Sequence, residues 1–306
     1  DQGRSRDDEG ITATLDSDQI NAVTAMFSNR SLQVFTSGGE FYVPESPITP
    51  ENIAVLPQSN LGAKRARPVT IDGVTLFIQR TGKAINQFVF INEFQANESR
   101  SVSVLAPHLI KNPKKMALRV GTESSDANYV FMVNDDGTVT VFNTLASENV
   151  TAFTSWKTEG ASGLIKSVAV VDFKVYMLVE RYIDGNTVYY IEGENELLNT
   201  DSGVIGTGLA SDTLTGLDHL EGETVKVKAD GAVQADQVVT SGQITIGRTA
   251  DTIEAGLEYQ PIVKTMPLNI GLQNGPNAAS KKRINRVAVN MYESNGVIVN
   301  GHRLAD

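Results

Sequence analysis

Apolar and polar residues alternate along most of this 306-residue chain. In residues 129–143, YVFMVNDDGTVTVFN, Val130 and Met132 precede a turn, and Val139 and Val141 follow it. A period of two is typical of β-strands with one buried face, and Asp-Gly and Gly-Gly suit tight hairpins because primed turns need positive φ. Four stretches with this pattern predict hairpins: 32–43 around Gly39, 69–79 around Gly73, 129–143 around Gly137 and 175–192 around Gly185.

Helical periodicity is sparse. Residues 16–29, DSDQINAVTAMFSN, predict one short helix, because apolar residues follow a capping residue at helical spacing. The residues involved are Ser17 or Asp18 as the cap, then Ile20, Val23 and Phe27. A further helical turn is predicted within 112–120, and the rest of the chain is predicted to be β.

The composition changes in the second half of the chain. Residues 192–217 are rich in Gly, Ser, Thr, Asp and Asn, which predicts a long loop or linker. Short alternating strands in 223–247 predict a small barrel-like β module, and long alternation returns in 258–270 and 281–301. We therefore predict three segments: a propeller-like β domain over 1–195, a linker and small inserted β module over 196–257, and strands over 258–306 that return to the main domain.

The repeated hairpins predict an all-β fold. Sheets of antiparallel hairpins at blade-like intervals favour a β-propeller-like main domain. The turn glycines are irregularly spaced, from about 34 to 64 residues apart. A pair of β-sandwiches would produce the same alternation and is the competing architecture.

The composition excludes several kinds of chemistry. Without cysteines the chain can form no disulfide, thiolate nucleophile or sulfur-ligated zinc site, and His108, His219 and His302 are too far apart in sequence for metal-ligand spacing. There is no run of 18 apolar residues that predicts a transmembrane helix, and the first ten residues lack the apolar core of a signal peptide. A formal net charge of −10 argues against nucleic-acid binding by the chain as a whole.

Acidic residues are numerous, but they do not form recognisable sites. An EF-hand loop needs Gly at its sixth position and Glu at its twelfth, whereas NDDGTVTVFNTL has Gly at the fourth and no acidic twelfth residue. We therefore interpret Asp135 and Asp136 as turn residues. A carboxylate pair for glycoside hydrolysis could be drawn from Asp135, Asp136, Asp184, Glu192, Glu194 and Glu196. The chain also lacks a G-x-S-x-G elbow, and GVIGTG has no Lys-Ser or Lys-Thr after it as a phosphate loop requires.

Three basic clusters stand out on this acidic chain: AKRARP, KNPKK and SKKRINR. They could face a polyanion or acidic patches on a neighbouring subunit, and solvated loop charge is the alternative. Aromatic residues are not interleaved as base stacking requires, so sequence-specific recognition is not predicted. We predict subunit or DNA contacts at Lys64, Arg65, Arg67, Lys111, Lys114, Lys115, Lys281, Lys282, Arg283 and Arg286.

From about residue 16 to 300 the sequence resembles the nozzle, or tail tubular, proteins of short-tailed bacteriophages. The resemblance lies in SLQVFTSGGEFYV and in ITPENIAVLPQSNLGAKRARPVTIDGVTLFIQRTGKAINQFVF. These segments share with the family a Gly-Gly-Glu hairpin, an I-T-P segment, a Q-S-x-x-G turn, a P-V strand and L-F-x-Q-R-x-G. Residues 217–246 are similar to a small β module of such phage proteins that is also likened to a half-domain of ubiquitin-activating enzymes, but without a cysteine no thiol chemistry carries over.

The resemblance implies a virion structural protein that is made in the host cytoplasm. Nozzle subunits form a six-fold ring at the distal end of the tail tube, so we expect a homo-hexameric ring that contacts the tail adaptor and the tail fibre or needle proteins. Genomic DNA would pass through it without specific binding, and an acidic channel wall would prevent sticking. We expect no cofactor, no membrane anchor and no enzymatic activity. Family members begin further upstream, which implies that this chain is a C-terminal portion or lacks an N-terminal domain.

Two other functions are kept as alternatives. A receptor- or glycan-binding module would bind through its loops, with Trp156, Phe153 and Lys157 as a sugar-stacking platform, although such a tryptophan is more often packed in the core. A cell-wall or capsule hydrolase would use a pair of the carboxylates named above.

Overall fold

The computed structural model describes most of the chain. The described residues are 10–11, 21–44, 47–50, 52–123, 126–148, 150–159, 163–265, 271–272, 275–276, 281, 283–290 and 297–303. The contacts divide the chain into two compact units. Unit 1 comprises Asp1–Leu198 and His219–Glu223, and unit 2 comprises Asn199–Asp218 and Thr224–Asp306.

Unit 1 consists of antiparallel sheets whose strands follow one another in chain order. The first sheet contains β1 (Val23–Ser28), β2 (Leu32–Thr36), β3 (Glu40–Val43) and β4 (Leu56–Ser59), and the second contains β5 (Val69–Ile71), β6 (Val74–Ile78), β7 (Ile85–Ile91) and β8 (Ala96–Ser101). The third contains β9 (Lys115–Arg119), β10 (Asn128–Val133), β11 (Val139–Leu145) and β12 (Val150–Trp156). In the described part of the chain the fourth contains β13 (Leu164–Val171), β14 (Lys174–Ile183) and β15 (Asn186–Gly193). Repeated four-stranded up-and-down sheets are the blade unit of propellers, and the prediction of an all-β, propeller-like fold is confirmed.

The four predicted hairpins are all present, around Gly39, Gly73, Gly137 and Gly185. In three of them an aspartate precedes the turn glycine, and two of these aspartates, Asp72 and Asp184, have positive φ like the glycines that follow them. Two left-handed residues in a row form the primed turn that matches the twist of the flanking strands.

Apolar side chains between neighbouring sheets form the cores of unit 1. Strand β10 contributes to two of them. Val130 and Met132 lie in the core shared with β5–β8, whereas Phe131 and Val133 lie in the core shared with β13–β15. Full burial of one such side chain stabilises the fold by roughly 1.5–3 kcal/mol, so the third sheet is stabilised on both of its faces.

Unit 2 is also β. Its strands are β16 (Asp201–Gly206), β17 (Ser211–Thr215), β18 (Thr224–Ala229), β19 (Ala232–Val233), β20 (Gln237–Val238), β21 (Gln243–Ala250) and β22 (Ile253–Leu257), followed by the short pairs β23 (Gly271–Leu272) with β24 (Gly275–Pro276) and β25 (Ile298–Val299) with β26 (His302–Arg303). In β18, Val225 and Val227 are buried while Lys226 and Lys228 point outward. The predicted Asp-Gly turn follows, with positive φ at both of its residues.

The helix predicted over 16–29 is wrong where it can be compared, because Val23–Ser28 form strand β1. Ala25 and Phe27 pack against the core between the first two sheets, and Met26 is exposed. That is a period of two, and pairing with β2 therefore overrides the helical spacing. The predicted cap lies outside the described residues.

Three other segment predictions are corrected. The helical turn predicted within 112–120 is replaced by strand β9, and the described helical turns are 3₁₀ turns at Pro107–Leu109, Ala146–Glu148 and Asp218–Leu220. The predicted linker 192–217 contains β16 and β17, which pair with β22 and β21 much later in the chain. The long strands predicted near the C-terminus are absent from the described residues 258–265 and 283–290, since alternation forms a strand only beside a pairing partner.

The segment boundaries at 195 and 257 remain predictions, as does the return of 258–306 to the main domain. In the described part of 258–306 the strands pair locally, as β23 with β24 and β25 with β26. No helix among the described residues is long and apolar enough to cross a bilayer.

Candidate functional site

Two of the three basic clusters meet at one place on unit 1. Lys64 follows β4, and Lys111 and Lys114 lie between β8 and β9. The turn between β10 and β11 brings Asp135 and Asp136 to the same place. We call these five residues the lysine–aspartate cluster.

Each aspartate of the cluster has its own lysine. Lys111 Nζ lies 2.7 Å from Asp136 Oδ2, and Lys114 Nζ pairs with Asp135 Oδ1. The four side chains are between 40% and 60% exposed, so water screens both pairs. The pairs therefore position the turn more than they stabilise the fold.

Asn112 connects Lys64 to the pairs. Its Nδ2 donates to Asp135 Oδ2 at 3.2 Å, and Lys64 Nζ donates to its backbone oxygen at 3.2 Å and also to its Oδ1. Asn112 has a φ of +56°. Its N–H donates to the Gly82 oxygen at 2.9 Å, and a Cβ on Gly82 would overlap Asn112 Oδ1.

The turn predicted around Gly137 is a three-residue loop, Asp135 to Gly137. The Asn134 N–H donates to the Thr138 oxygen at 2.8 Å, which leaves a three-residue loop in which Gly137 has a φ of +80°. Asp136 Oδ1 accepts hydrogen bonds from the Thr138 N–H at 3.1 Å and from Thr138 Oγ1 at 2.6 Å. Asp136 therefore serves both the turn and the ion pair with Lys111.

An open cleft of about 490 Å³ lies beside the cluster. Its lining residues are Thr81, Gly82, Lys83, Ile110, Lys111, Asn112, Asp135 and Asp136. The hydrogen bond from Lys114 lowers the pKa of Asp135. Burial raises the pKa of Asp136, but hydrogen bonds from Lys111 and Thr138 outweigh it and leave the value below the usual range. Burial lowers the pKa of Lys64.

These pKa directions limit the chemistry of the cleft. Both aspartates are ionised at neutral pH, and a carboxylate with a lowered pKa is a poor general acid. Among the described residues there is no group of three or more His, Cys, Asp or Glu that could hold a metal ion. The cleft therefore presents fixed, largely compensated charge.

The other predicted contact residues do not join the cluster. Arg65 and Arg67 are exposed, and Lys115 Nζ donates to Ser167 Oγ at 3.1 Å. In unit 2, Lys281, Arg283 and Arg286 are exposed, and Lys282 lies outside the described residues. A role for the ten residues in subunit or DNA contacts stays a prediction.

One of the candidate catalytic carboxylates belongs to a buried ion pair. Arg181, 2% exposed, donates to Glu192 through Nε at 2.6 Å and through Nη2 at 2.8 Å. It also donates to the Glu159 backbone oxygen at 2.8 Å and to Thr158 Oγ1 at 2.7 Å. Such a bidentate contact fixes both partners, which gives Glu192 a structural role.

A buried carboxyl that sequence reasoning missed lies where the first sheet meets the second. Glu40, at the start of β3, is fully buried and accepts a hydrogen bond from Ser59 Oγ. Ser59 Oγ also lies 2.7 Å from Ser99 Oγ of β8. Burial raises the pKa of Glu40. No local pattern signals this burial, because Ser59 and Ser99 come from strands later in the chain.

The same place joins three segments that are distant in sequence. Gly62 has a φ of +73°, and a Cβ there would overlap the Ser37 oxygen. The Arg80 N–H donates to the Gly62 oxygen at 2.8 Å, and the Ala63 N–H donates to the Thr36 oxygen at 2.7 Å. We call this region, residues 36–40, 59–63 and 80, the sheet junction. It unites the Gly-Gly-Glu, Q-S-x-x-G and L-F-x-Q-R-x-G motifs.

Trp156 is not a free aromatic platform. It is half-buried at the end of β12 and packs against the core between the third and fourth sheets. Its ring centroid lies 5.3 Å from that of Phe131. The expectation that this tryptophan packs in the core is therefore met for one side of the ring.

The chain is similar to several solved structures, of which two are described. One is an exo-β-1,3-galactanase from Phanerochaete chrysosporium with galactose, at 8% identity and a TM-score of 0.33, with 76% of this chain and 77% of the galactanase covered. The other is a variant of that enzyme with β-1,3-galactotriose, at 10% identity and a TM-score of 0.32, with the same coverage. No family model matches the sequence, and no curated protein does either.

One expectation is corrected by this comparison. The sequence led us to expect no enzymatic activity, whereas both similar structures are enzymes. The statement that the chain is not an enzyme is therefore withdrawn. At these TM-scores the likeness assigns no activity, substrate or catalytic residue to this chain.

Proposed function

We propose that the chain is a structural subunit of the tail nozzle of a short-tailed bacteriophage. In this role it forms a homo-hexameric ring at the distal end of the tail, beside the tail adaptor and the fibre or needle proteins. Genomic DNA passes through the ring without specific binding. The protein is made in the host cytoplasm and acts in the virion.

The sheet junction is the observation that carries this proposal. The motifs that resemble nozzle proteins are separated in sequence, yet they hold one another in place through Glu40, Gly62 and Arg80. Motifs that had only a hairpin role would have no reason to meet. Their convergence supports a shared architecture with that family, and architecture is what a ring subunit contributes.

The lysine–aspartate cluster fits a channel protein that must not retain DNA. Non-specific DNA binding depends on lysine and arginine side chains that neutralise phosphates. Lys111 and Lys114 are instead paired with Asp136 and Asp135. An acidic channel wall would repel the phosphates of DNA in the same way. A ring whose lumen is lined by Arg65, Arg67 and the other basic residues would contradict this part of the proposal.

Cryo-electron microscopy of the parent particle tests the proposal. We expect density for this fold in six copies at the distal end of the tail tube. A chain located in the fibres, or absent from the particle, would contradict the nozzle function. As a control for position, particles that carry an affinity tag after Asp306 should show six labels at the distal tip.

A further inference from the structure

The sheet β13–β15 has an apolar surface that is exposed in the described part of unit 1. On β14, Tyr176, Leu178 and Tyr182 are 36–48% exposed, and on β15, Tyr189 and Ile191 are 58% and 78% exposed. Leu178 lies opposite Ile191 in the strand register, so these side chains lie on one face. We call this surface, completed by Val171 of β13, the open face.

The opposite face of the same sheet is fully covered. Val175 and Val179 of β14 are at most 1% exposed and lie in the core shared with β9–β12. An antiparallel sheet with one face in water normally alternates apolar and polar residues. Here both sets of alternate residues are mainly apolar, which is the pattern of a sheet that is covered on both sides.

The charge of the open face is unlike that of the chain. Its central carboxylate, Glu180, accepts a hydrogen bond from Tyr189 Oη at 2.7 Å and lies 3.1 Å from Lys166 Nζ. Lys174 lies at the margin of the face, opposite Val171. At the centre of the face the one carboxylate is therefore compensated by Lys166, although the chain has a formal charge of −10. Two copies of an acidic chain repel each other least where such a surface is the point of contact.

The size of the open face also matches an interface. Six large side chains at these exposures present on the order of 500 Å² of apolar area, near the upper end of the roughly 300–600 Å² for the largest patch on a typical monomer. A standard interface buries about 800 Å² on each partner. The open face would supply most of the apolar centre of such an interface, with tyrosines of the type that interfaces favour.

We infer that the open face is the surface on which a second copy of this chain docks. The inference rests on the proposed ring, in which every copy contacts its neighbours. Burial of the exposed tyrosines and Ile191 drives the contact, and the Glu180–Lys166 pair lies within it. DNA is a poor occupant because the centre of the face offers apolar side chains rather than cations to the phosphates.

Sedimentation velocity over a wide range of protein concentration tests the inference, with the full chain and two variants. Ile191→Lys places a charge in the open face. Leu105→Lys is the matched control, since Leu105 is 94% exposed and lies outside that face. We expect the unaltered chain and Leu105→Lys to self-associate alike and Ile191→Lys to associate about tenfold more weakly or worse. Thermal melts of all three should coincide at a protein concentration at which each is monomeric, because both positions are exposed.

Three outcomes overturn the inference. The unaltered chain stays monomeric at every concentration, or Ile191→Lys associates like the control. In the third, a monomeric chain binds a soluble polysaccharide and Tyr189→Ala removes that binding, which assigns the face to glycans.

The inference and the nozzle proposal can fail separately. A closed two-fold dimer that Ile191→Lys disrupts keeps the contact surface and contradicts the ring. A six-fold ring in the particle whose open face points into solvent keeps the nozzle and contradicts the contact.

Discussion

The sheets β9–β12 and β13–β15 are neighbours built from the same kind of hairpin, but they differ in what covers them. Both faces of β10 are buried, with Met132 and Phe131 in separate cores. Strand β14 buries Val175 and Val179 on one face and exposes Tyr176 and Tyr182 on the other. The sequences of the two strands are similarly apolar, so the difference lies in the neighbour and not in the strand.

This comparison shows that an apolar pattern indicates which faces of a strand must be buried. It does not indicate which part of the chain, or which other molecule, buries them. A strand whose odd- and even-numbered positions are both apolar must bury both of its faces. For β10 the neighbouring sheets of the chain bury both. For β14 the described residues cover one face, and the inferred second copy would cover the other. The exposure of Ile191 and Tyr189 is therefore informative, whereas an isolated exposed apolar residue is not.

The largest effect is expected from truncating a side chain in the covered region. Phe131→Ala removes a ring that is 2% exposed between the third and fourth sheets, and it should lower the free energy of unfolding by about 3–5 kcal/mol. Ile191→Ala on the open face should change it by no more than about 0.5 kcal/mol in the monomer. Urea unfolding measures both. Equal losses would abolish the distinction between the two regions.

A comparable loss is expected from breaking the buried ion pair of Arg181 and Glu192 in the fourth sheet. Arg181→Met leaves Glu192 without its cation and removes the donors to Thr158 and the Glu159 oxygen. Breaking a buried pair in this way should cost about 3 kcal/mol. The double change Arg181→Met with Glu192→Met should restore part of the loss in the same unfolding experiment. If Arg181→Met leaves the free energy of unfolding unchanged, the unpaired carboxylate of Glu192 is tolerated on the covered face, and burial of charge does not distinguish the two faces.

At the other end of unit 1, the sheet junction can be compared with an ordinary hairpin turn. Gly62→Ala should cost about 2 kcal/mol or more, because the new Cβ meets the Ser37 oxygen and φ is +73°. Gly73→Ala is the matched control, since φ is +80° but no atom lies within 4 Å of its Cβ. It should cost about 1 kcal/mol. Equal melting temperatures for the two variants would show that the junction is loosely packed.

The buried Glu40 predicts a pH dependence opposite in sign to that of Asp136. Burial raises its pKa above the ordinary 4.5 in the folded state, so folding opposes its ionisation. The stability of the unaltered chain relative to Glu40→Gln should be highest below pH 4.5 and fall as pH rises through the folded-state pKa. Unfolding curves across that range measure the difference. A relative stability that rises with pH would mean that the carboxylate form is the stabilised one.

The smallest effect is expected at the lysine–aspartate cluster. Lys111→Met removes the partner of Asp136, whose side chain is 40% exposed, and should cost no more than about 0.5 kcal/mol. Because the pKa of Asp136 is lowered, this contribution is present above its ordinary 3.8 and is lost as pH falls through the folded-state value. Lys83→Met, also beside the cleft but without an ion pair among the described residues, is the control. A larger loss of unfolding free energy, or one that does not change with salt concentration, would show that the Lys111–Asp136 pair is shielded from water.

Local chemistry made the hairpins predictable. A turn glycine with alternating flanks needs only residues close in sequence, and all four hairpins are where the pattern put them. Strand β1 was missed because its apolar residues fit the helical period and the strand period about equally. Pairing with β2 selects the strand. Strands β16 and β17 were missed because their partners lie much later in the chain.

The candidate site was predictable only as separate parts. Lys64, Lys111 and Lys114 were named from their charge, and Asp135 and Asp136 from their turn. That they meet depends on how the second and third sheets pack, which no local pattern encodes. Glu40 and Arg181 were missed for the same reason, since their burial comes from segments distant in sequence.

The open face on an acidic chain also has a consequence for the rate of assembly. Outside that face the copies repel one another over a distance set by the Debye length, about 10 Å at 0.1 M salt. Added salt shortens that distance and leaves the apolar attraction intact, so association should become faster as ionic strength rises. If copies dock through the open face as inferred, the acidic surface slows their assembly, and the ionic strength of the surroundings sets how strongly it does so.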